Sequence, residues 1–359
     1  MNNQRKIAVI STGNGGQAMA AYFANMGFHV SLYAREQERV DMFENNIFTL
    51  DGVVQCQVKV DLISCNMQEV VEGAYLIMVT TPSQYHTVVA KEMAPFLTDG
   101  QTIVLNPGRT FGSYQFQSAL TKNGCAADVT VAEADTLAFT CRCVKPGHPV
   151  IFSIKNDLNV AAIDQSRTDS VVGILRELFP VVNPSYSILH TGLSNIGMIF
   201  HPLPILMNIT RVEAKEDFLY YKEGISPLVS NVLERMDMER MAVADALGIK
   251  ILSASDWLTD KYGSTGSNLY ERLQSTDAYS TVTAPTDIDT RYIFEDVRTG
   301  CVPLSCLAKH IGVPTPIIDS VISWASTVYN YDFMANGRND DVLDFRALVH
   351  DAHINREID

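Results

Sequence analysis

Two groups of residues in this sequence have the types and spacing for chemistry. The first is the run Lys6-Ile7-Ala8-Val9-Ile10-Ser11-Thr12-Gly13-Asn14-Gly15-Gly16-Gln17-Ala18. Four apolar residues read as a buried strand, and the glycines let the backbone turn sharply into a helix starting near Gly16. A strand, a glycine turn and a helix in that order cradle a diphosphate. In this reading Gly13 makes the tight turn, Gly15 lets the pyrophosphate approach the main chain, and Ala18 holds the third small position, where helix meets strand. The helix N-terminus, with Asn14 and Gly16 beside it, then offers unpaired N–H groups and a positive dipole end to the phosphates.

The second group lies in the latter half of the chain. Thr191 to Asn208 is an apolar helical stretch holding Asn195, His201, Pro202 and Pro204. A proline inside a helix removes an N–H and clashes with the preceding turn, at a cost of ~3 kcal/mol, so a kink is expected that pushes His201 out of the helix line. A core histidine bonded to a carbonyl is the alternative. Arg240 falls on the apolar seam of a helix that Ser226-Pro227 opens, where a charge must be paired or must meet a ligand such as a substrate carboxylate. Asp289 to Val297 sets Arg291 and the acids Glu295 and Asp296 in a mostly apolar stretch.

Several elements must position these groups. The first helix continues through Ala20, Ala21, Phe23, Ala24 and Met26, stops at Gly27, and gives way to a strand over His29 to Ala34, completing a βαβ unit. An NAD site places an acid about 20 residues past the glycines to hold the ribose 2′-hydroxyl. Here that place holds Tyr33-Ala34-Arg35, and Arg35 with Arg39 suits a 2′-phosphate, so NADP(H) is favoured and NAD(H) remains open. Further strands are expected over Val53 to Ile63, Ala74 to Thr80, Thr102 to Leu105, Val129 to Glu133 and His148 to Lys155, with helical stretches between most of them. That alternation implies a parallel sheet covered on both faces. Thr81-Pro82, Asn106-Pro107-Gly108 and Glu133 end three of these strands and would line the nicotinamide side of the crevice. Beyond Leu189 the β-branched runs thin out and helical spacing takes over. The expected division is therefore a doubly wound α/β domain over 1–185 and an all-α domain over 186–359.

Composition excludes several functions. Against 27 basic side chains stand 41 acidic ones, a net charge of -14 without a Lys/Arg cluster, which argues against nucleic acid and anionic membranes. Seven cysteines without zinc-type spacing fit reduced thiols in a cytoplasmic protein and no metal site. Met1 to Lys6 leads into the first strand without the pattern of a signal peptide, and no apolar run approaches the ~20 residues of a membrane span. His350 and His353 are i, i+3 on a polar tail, and without a third ligand they read as solvated.

These pieces resemble the NAD(P)-dependent octopine/nopaline dehydrogenase family, the opine dehydrogenases. The resemblance is carried by Gly13-Asn14-Gly15-Gly16, Leu105-Asn106-Pro107-Gly108, Phe139-Thr140-Cys141-Arg142, His201-Pro202-Leu203-Pro204, Arg291 to Asp296, and Val313-Pro314-Thr315-Pro316, in the family's order. It implies a Rossmann domain followed by a helical domain of the 6-phosphogluconate-dehydrogenase-like kind, with substrates in the cleft between them. The activity it implies is reductive joining of an amino acid to a 2-oxo acid, commonly pyruvate, and the reverse. By the same resemblance His201 is the general acid/base, an imidazole suiting proton transfers near neutrality. Asp296 holds its other ring nitrogen, Arg291 clamps a substrate carboxylate, and Asn195 contacts substrate. A homodimer through the helical domain is the expected assembly.

Two other readings compete. Ketopantoate-reductase-type hydroxyacid dehydrogenases share the two-domain plan but resemble one another in using a lysine early in the second domain. No lysine occurs here between Lys155 and Lys215. A non-catalytic NADP(H) sensor would not need His201, Arg291 and Asp296 to converge.

Overall fold

The computed structural model describes residues 5–356, with side chains up to residue 350. Met1 to Gln4 and the side chain of His353 lie outside the described residues. The chain divides into two compact units, Met1–Thr191 and Gly192–Asp359.

The first unit is built on an eight-stranded sheet. In chain order the strands of the unit are β1 (Lys6–Ile10), β2 (His29–Tyr33), β3 (Ile47–Gly52), β4 (Cys56–Lys59), β5 (Leu62–Ser64), β6 (Ala74–Val79), β7 (Thr102–Leu105), β8 (Thr130–Ala134), β9 (Phe139–Lys145), β10 (His148–Ile154), β11 (Leu158–Ala162) and β12 (Val182–Pro184). The large sheet runs β12-β11-β8-β7-β6-β1-β2-β5, parallel throughout except where β11 opposes β8. Ile7 to Ile10 and Leu76 to Val79 are buried because helices cover both faces, which is why these strands are continuous apolar runs. The chain leaves β1 for β2 on one side and reaches β6 on the other, so the sheet order reverses between β1 and β6. In open α/β sheets that is where ligands bind.

The strand expected over Val53 to Ile63 is two strands. Asp61 breaks them: its carboxylate accepts the Val30 N–H at 2.8 Å, so β4 and β5 join different sheets. β4 belongs to a second sheet, β4-β3-β10-β9, that the sequence did not disclose. It packs against the first helix, Asn14–Asn25, with Phe48, Leu50, Phe139 and Ile151 in one apolar cluster with Phe23 and Ala20.

The division between units falls six residues past the boundary expected at 185. β12 pairs with β11 and the Thr191 hydroxyl donates to Glu133 at 2.8 Å, so the chain stays with the first unit through Thr191. Among the described residues every further regular element of the second unit is helical, the longest being Pro227–Ala246, with one isolated antiparallel bridge between Leu219 and Thr283. Its start matches the expected cap: Ser226 Oγ accepts the Val229 N–H at 3.3 Å and Pro227 takes the first helical position. Among the described residues no helix is long and apolar enough to cross a membrane.

Candidate active site

The glycine turn sits at the carboxyl end of β1, beside Thr81-Pro82 at the end of β6, with Ile10 paired to Val79 between them. Its glycines divide the work in a different register from the one expected. Gly13 has an ordinary extended backbone as the helix N-cap. The residue in the conformation that favours glycine is Ser11, at φ 130°. The glycine with no room for a side chain is Gly16, where a Cβ would lie 1.8 Å from the Ser11 carbonyl oxygen. Ser11, Gly13 and Gly16 therefore hold the three positions of the fingerprint, and Ala18 is ordinary core.

This turn fits a dinucleotide. The first helix has no side-chain cap and no acid in its first turn, so the N–H groups of Asn14 to Gly16 and the positive dipole end are uncompensated. The atoms nearest a Cβ on Gly15 would be those of the flexible Leu137 side chain and, farther off, Thr80. Thr81 Oγ1 is buried without a hydrogen-bond partner. Arg35 follows β2 on the surface, its guanidinium 2.7 Å from the carboxylate of Glu36. An ion pair so exposed is worth little and yields readily to a phosphate.

Three side chains expected at the cofactor are tied within the first unit. The Asn106 amide donates to the Thr136 carbonyl at 3.1 Å and accepts the Ala138 N–H at 3.0 Å, pinning the segment after β8. Glu133 is fully buried, accepting from the Ser113 N–H and the Thr191 hydroxyl, each at 2.8 Å. Asn14 gives its side-chain oxygen to the Cys143 N–H at 2.9 Å, tying the turn to β9, so its main chain is what it can offer a phosphate. A polar strand end and an internal tie look the same in sequence.

In the second unit the two prolines break the helix as expected, leaving Gly197–Phe200 and Pro202–Met207 with His201 between them. Pro202 and Pro204 cannot bond the carbonyls of Met198 and Phe200. Those oxygens find other donors: the Cys301 thiol lies 3.9 Å from Met198 O, and the Tyr220 hydroxyl donates to Phe200 O at 3.1 Å and to His201 O at 2.8 Å.

His201 Nδ1 lies 2.7 Å from Asp296 Oδ2, and Asp296 is fully buried. Asp296 follows the short helix Arg291–Phe294 and opens a π-helical turn, Val297–Cys301. That turn packs closely on the His201 segment, since a Cβ on Gly300 would lie 2.6 Å from Met198 Cβ. The Tyr292 ring stacks on the imidazole at 4.0 Å and 5°. The Tyr221 hydroxyl lies 3.4 Å from His201 Nε2. Sequence reading did not single out Tyr220, Tyr221 or Tyr292, and the one available signal was the Tyr220-Tyr221 doublet shortly after the broken helix.

Arg291 is half exposed, its guanidinium 3.3 Å from the buried carboxylate of Glu295 and 5.0 Å from the centre of the Tyr292 ring. Asn195 is buried in the break before Gly197, with its side-chain nitrogen 3.3 Å from where a Gly300 Cβ would be. Arg240 is corrected from a substrate residue to a structural one. It is fully buried, bonded to Asp237 at 2.8 Å and to the carbonyls of Leu193 and Leu252 at 2.6 and 2.7 Å, which leaves its charge no call on a ligand. Among the described residues no group of three or more His, Cys, Asp or Glu could hold a metal ion.

Residues 184–329 match the family model of the NAD/NADP octopine/nopaline dehydrogenase alpha-helical domain, and residues 6–108 match the N-terminus of NAD-dependent glycerol-3-phosphate dehydrogenase. The opine dehydrogenase of Arthrobacter sp. (strain 1C) is 34% identical over 97% of this chain and 98% of its own length. In fold, the chain is similar to octopine dehydrogenase solved with NADH and agmatine, at a TM-score of 0.78 and 21% identity over 93% of this chain and 94% of that one. It is also similar to yersinopine dehydrogenase with NADP+ bound, at a TM-score of 0.75 and 14% identity over 98% and 99% of the two chains. Identity of that extent to the Arthrobacter enzyme places this chain in the octopine/nopaline dehydrogenase family, the NAD(P)-dependent opine dehydrogenases.

Proposed function

We propose that the chain reductively condenses the amino group of an L-amino acid with a pyruvate-like 2-oxo acid, giving an N-(1-carboxyalkyl) amino acid, and catalyses the reverse. The buried His201–Asp296 pair carries this reading. Imine formation needs one group that takes a proton from the attacking amine and returns it to the departing hydroxyl. An imidazole held at one nitrogen by a carboxylate does both near neutrality.

In this mechanism His201 accepts the amine proton as the C–N bond forms. It then delivers a proton to the carbinolamine hydroxyl, which leaves as water. Asp296 accepts the Nδ1–H throughout, fixing the tautomer and stabilising the charged ring. Arg291 takes a substrate carboxylate, where a planar fork gives two charge-assisted bonds and a fixed orientation. Asn195 adds a polar contact near the reacting atoms. The nicotinamide cofactor supplies the hydride that reduces the imine. Gly13, Gly15, Gly16 and the main chain of Asn14 would hold its diphosphate, Thr81 and Pro82 would lie toward its nicotinamide, and Arg35 would favour the 2′-phosphate of NADPH over NADH. Relatives support both choices by what their structures hold: NADH, L-arginine or pyruvate in octopine dehydrogenases, and NADP+ in yersinopine dehydrogenase. A homodimer in the cytoplasm is the setting we infer, and the net charge of -14 weighs against nucleic acid and anionic membranes as partners.

The deciding experiment follows NADPH, and NADH in parallel, by absorbance while 2-oxo acids are offered alone and then with pools of amino acids. Oxidation that needs both an amine and a 2-oxo acid is expected. Oxidation with the 2-oxo acid alone would move the reading to a hydroxyacid dehydrogenase, and NADPH binding without oxidation in any mixture would move it to a sensor.

A further inference from the structure

The imidazole of His201 is engaged on both edges. Asp296 meets Nδ1 at 2.7 Å, and the Tyr221 hydroxyl meets Nε2 at 3.4 Å. The second distance is long, as such bonds often are before substrate tightens a site. Tyr221 is nevertheless held there. Its ring stacks on Tyr279 at 3.8 Å and meets Tyr220 and Phe200 edge-on. The turn carrying it is closed by the Gly224 N–H bonded to Leu219 O, and a Cβ on Gly224 would lie 2.4 Å from Tyr220 O. Main-chain bonds from Tyr220 to Val282 and from Ala284 to Phe218 fix its ends. Two consecutive tyrosine hydroxyls thus meet one histidine, that of Tyr220 at the His201 main-chain carbonyl and that of Tyr221 at the His201 ring.

A phenol suits this place because it can serve either protonation state of the ring. With Nδ1–H directed at Asp296, the neutral ring presents a lone pair at Nε2, and the Tyr221 O–H donates to it. When Nε2 gains a proton, the same oxygen accepts it. Burial holds the Tyr221 phenol well above the ordinary tyrosine range, so it stays a hydroxyl. Groups that face the imidazole include Asp296 at Nδ1, Tyr221 at Nε2 and Tyr292 on the ring face, with Arg291 and its partner Glu295 next to Tyr292 and the Cys301 thiol near Asp296.

We propose that Tyr221 is a positioning residue for His201: its hydroxyl fixes the Nδ1–H tautomer from the side opposite Asp296 and steadies the protonated ring while a proton waits for the leaving hydroxyl. This rests on the reading of His201 as the acid/base of the condensation. Nε2 is also the nitrogen that exchanges protons with the substrate, so the long Tyr221 bond shares that nitrogen with the reacting atom and does not itself transfer the proton.

The test is Tyr221→Phe, which keeps the ring stack and removes the oxygen. A charge-assisted bond from Nε2–H outweighs the neutral bond it replaces, so its loss disfavours the protonated ring. The basic limb of the kcat profile should therefore move to lower pH by about half a unit or more, kcat should fall by roughly tenfold, and the KM for NADPH should not change. A variant with wild-type kcat and an unmoved limb overturns the proposal, because a tyrosine that merely fills the core would behave so. Nitrogen NMR of the His201 ring in the wild-type protein gives a readout free of turnover and of the variant's folding. The neutral ring should carry its proton on Nδ1, and a proton on Nε2 overturns the proposal. Should the wild type show no amine-dependent oxidation, the condensation reading fails, while the same nitrogen NMR of wild type and Tyr221→Phe, in which the His201 ring should lose its proton at lower pH without the hydroxyl, still decides what Tyr221 does.

Discussion

Asp296 Oδ2 lies 2.7 Å from Nδ1 of His201, across a sequence separation of 95 residues, with the carboxylate fully buried. A buried carboxylate on one imidazole nitrogen directs the ring's other nitrogen and stabilises its charged form. Substituting either partner should therefore cost turnover and not cofactor affinity. His201→Ala is expected to lower kcat by about 10²- to 10⁴-fold, and Asp296→Asn by about 10²-fold or more, with NADPH affinity within about twofold of wild type. Stopped-flow turnover beside NADPH titration checks both. Full activity in His201→Ala would remove the residue from the mechanism.

Arg240 separates structural from catalytic arginines. Its guanidinium bonds Asp237 and two main-chain carbonyls with no exposed surface, and Asp237 also accepts the Ala254 N–H at 2.6 Å. Removing one partner leaves the other's charge buried and uncompensated. Arg240→Met should destabilise the second unit by about 3–5 kcal/mol while the KM values of the folded fraction stay unchanged. Denaturant unfolding measures the loss. A rise in substrate KM with unchanged stability would restore the substrate reading.

The helix break at His201 was legible in the sequence because Pro202 and Pro204 act through covalent geometry wherever they sit. That β1, β2, β6 and β7 form a parallel sheet was legible too, since strands alternate with helical stretches and, covered on both faces, leave long apolar runs. Ser11 was not, because a serine gives no sign in sequence that its φ is positive, and the Gly13-Asn14-Gly15-Gly16 run drew the fingerprint two residues late. β3 and β9 were missed because they alternate exposed with buried residues in a small second sheet and so leave no continuous apolar run. Asn106 and Glu133 were assigned to the cofactor because polar residues at strand ends serve a ligand or the neighbouring loop equally well. Tyr221 depends on the fold of a turn whose residues carry no helical or strand period.

Cysteine ionisation gives a test on pH. Burial pushes the thiols of Cys141 up to about 12 and of Cys143 and Cys306 up to about 11, and it raises Cys301 further. A thiol whose folded pKa is raised favours the folded state in its protonated form. That contribution is whole below the ordinary thiol value of about 8.5 and is lost as pH climbs through about 11 to 12. Thermal stability should therefore hold to about pH 8.5 and fall above it. At neutral pH, mass spectrometry after brief iodoacetamide treatment should find label on the exposed Cys65 well before Cys141, Cys143, Cys301 or Cys306. Early labelling at Cys143 would mean that β9 opens.

Ser11 makes the last prediction, because it holds the first position of the nucleotide turn with a side chain where glycine is favoured. At φ 130° a non-glycine backbone costs about 1–3 kcal/mol. Against this stands one bond, from the Gly13 N–H to Ser11 Oγ at 3.0 Å, worth about 1 kcal/mol at most in an exposed setting. Ser11→Gly removes both, so the strain relieved should exceed the bond lost. A net gain of about 1 kcal/mol corresponds to a Tm increase of about 2–4 °C for a unit of this size. The substitution also releases the Gly13 N–H toward the diphosphate, so NADPH should bind at least as tightly as before. Calorimetry of the free and NADPH-bound protein reads both effects. A lower Tm together with weaker NADPH binding would show that the Ser11 hydroxyl holds the turn in its binding shape and that the strain is the lesser term.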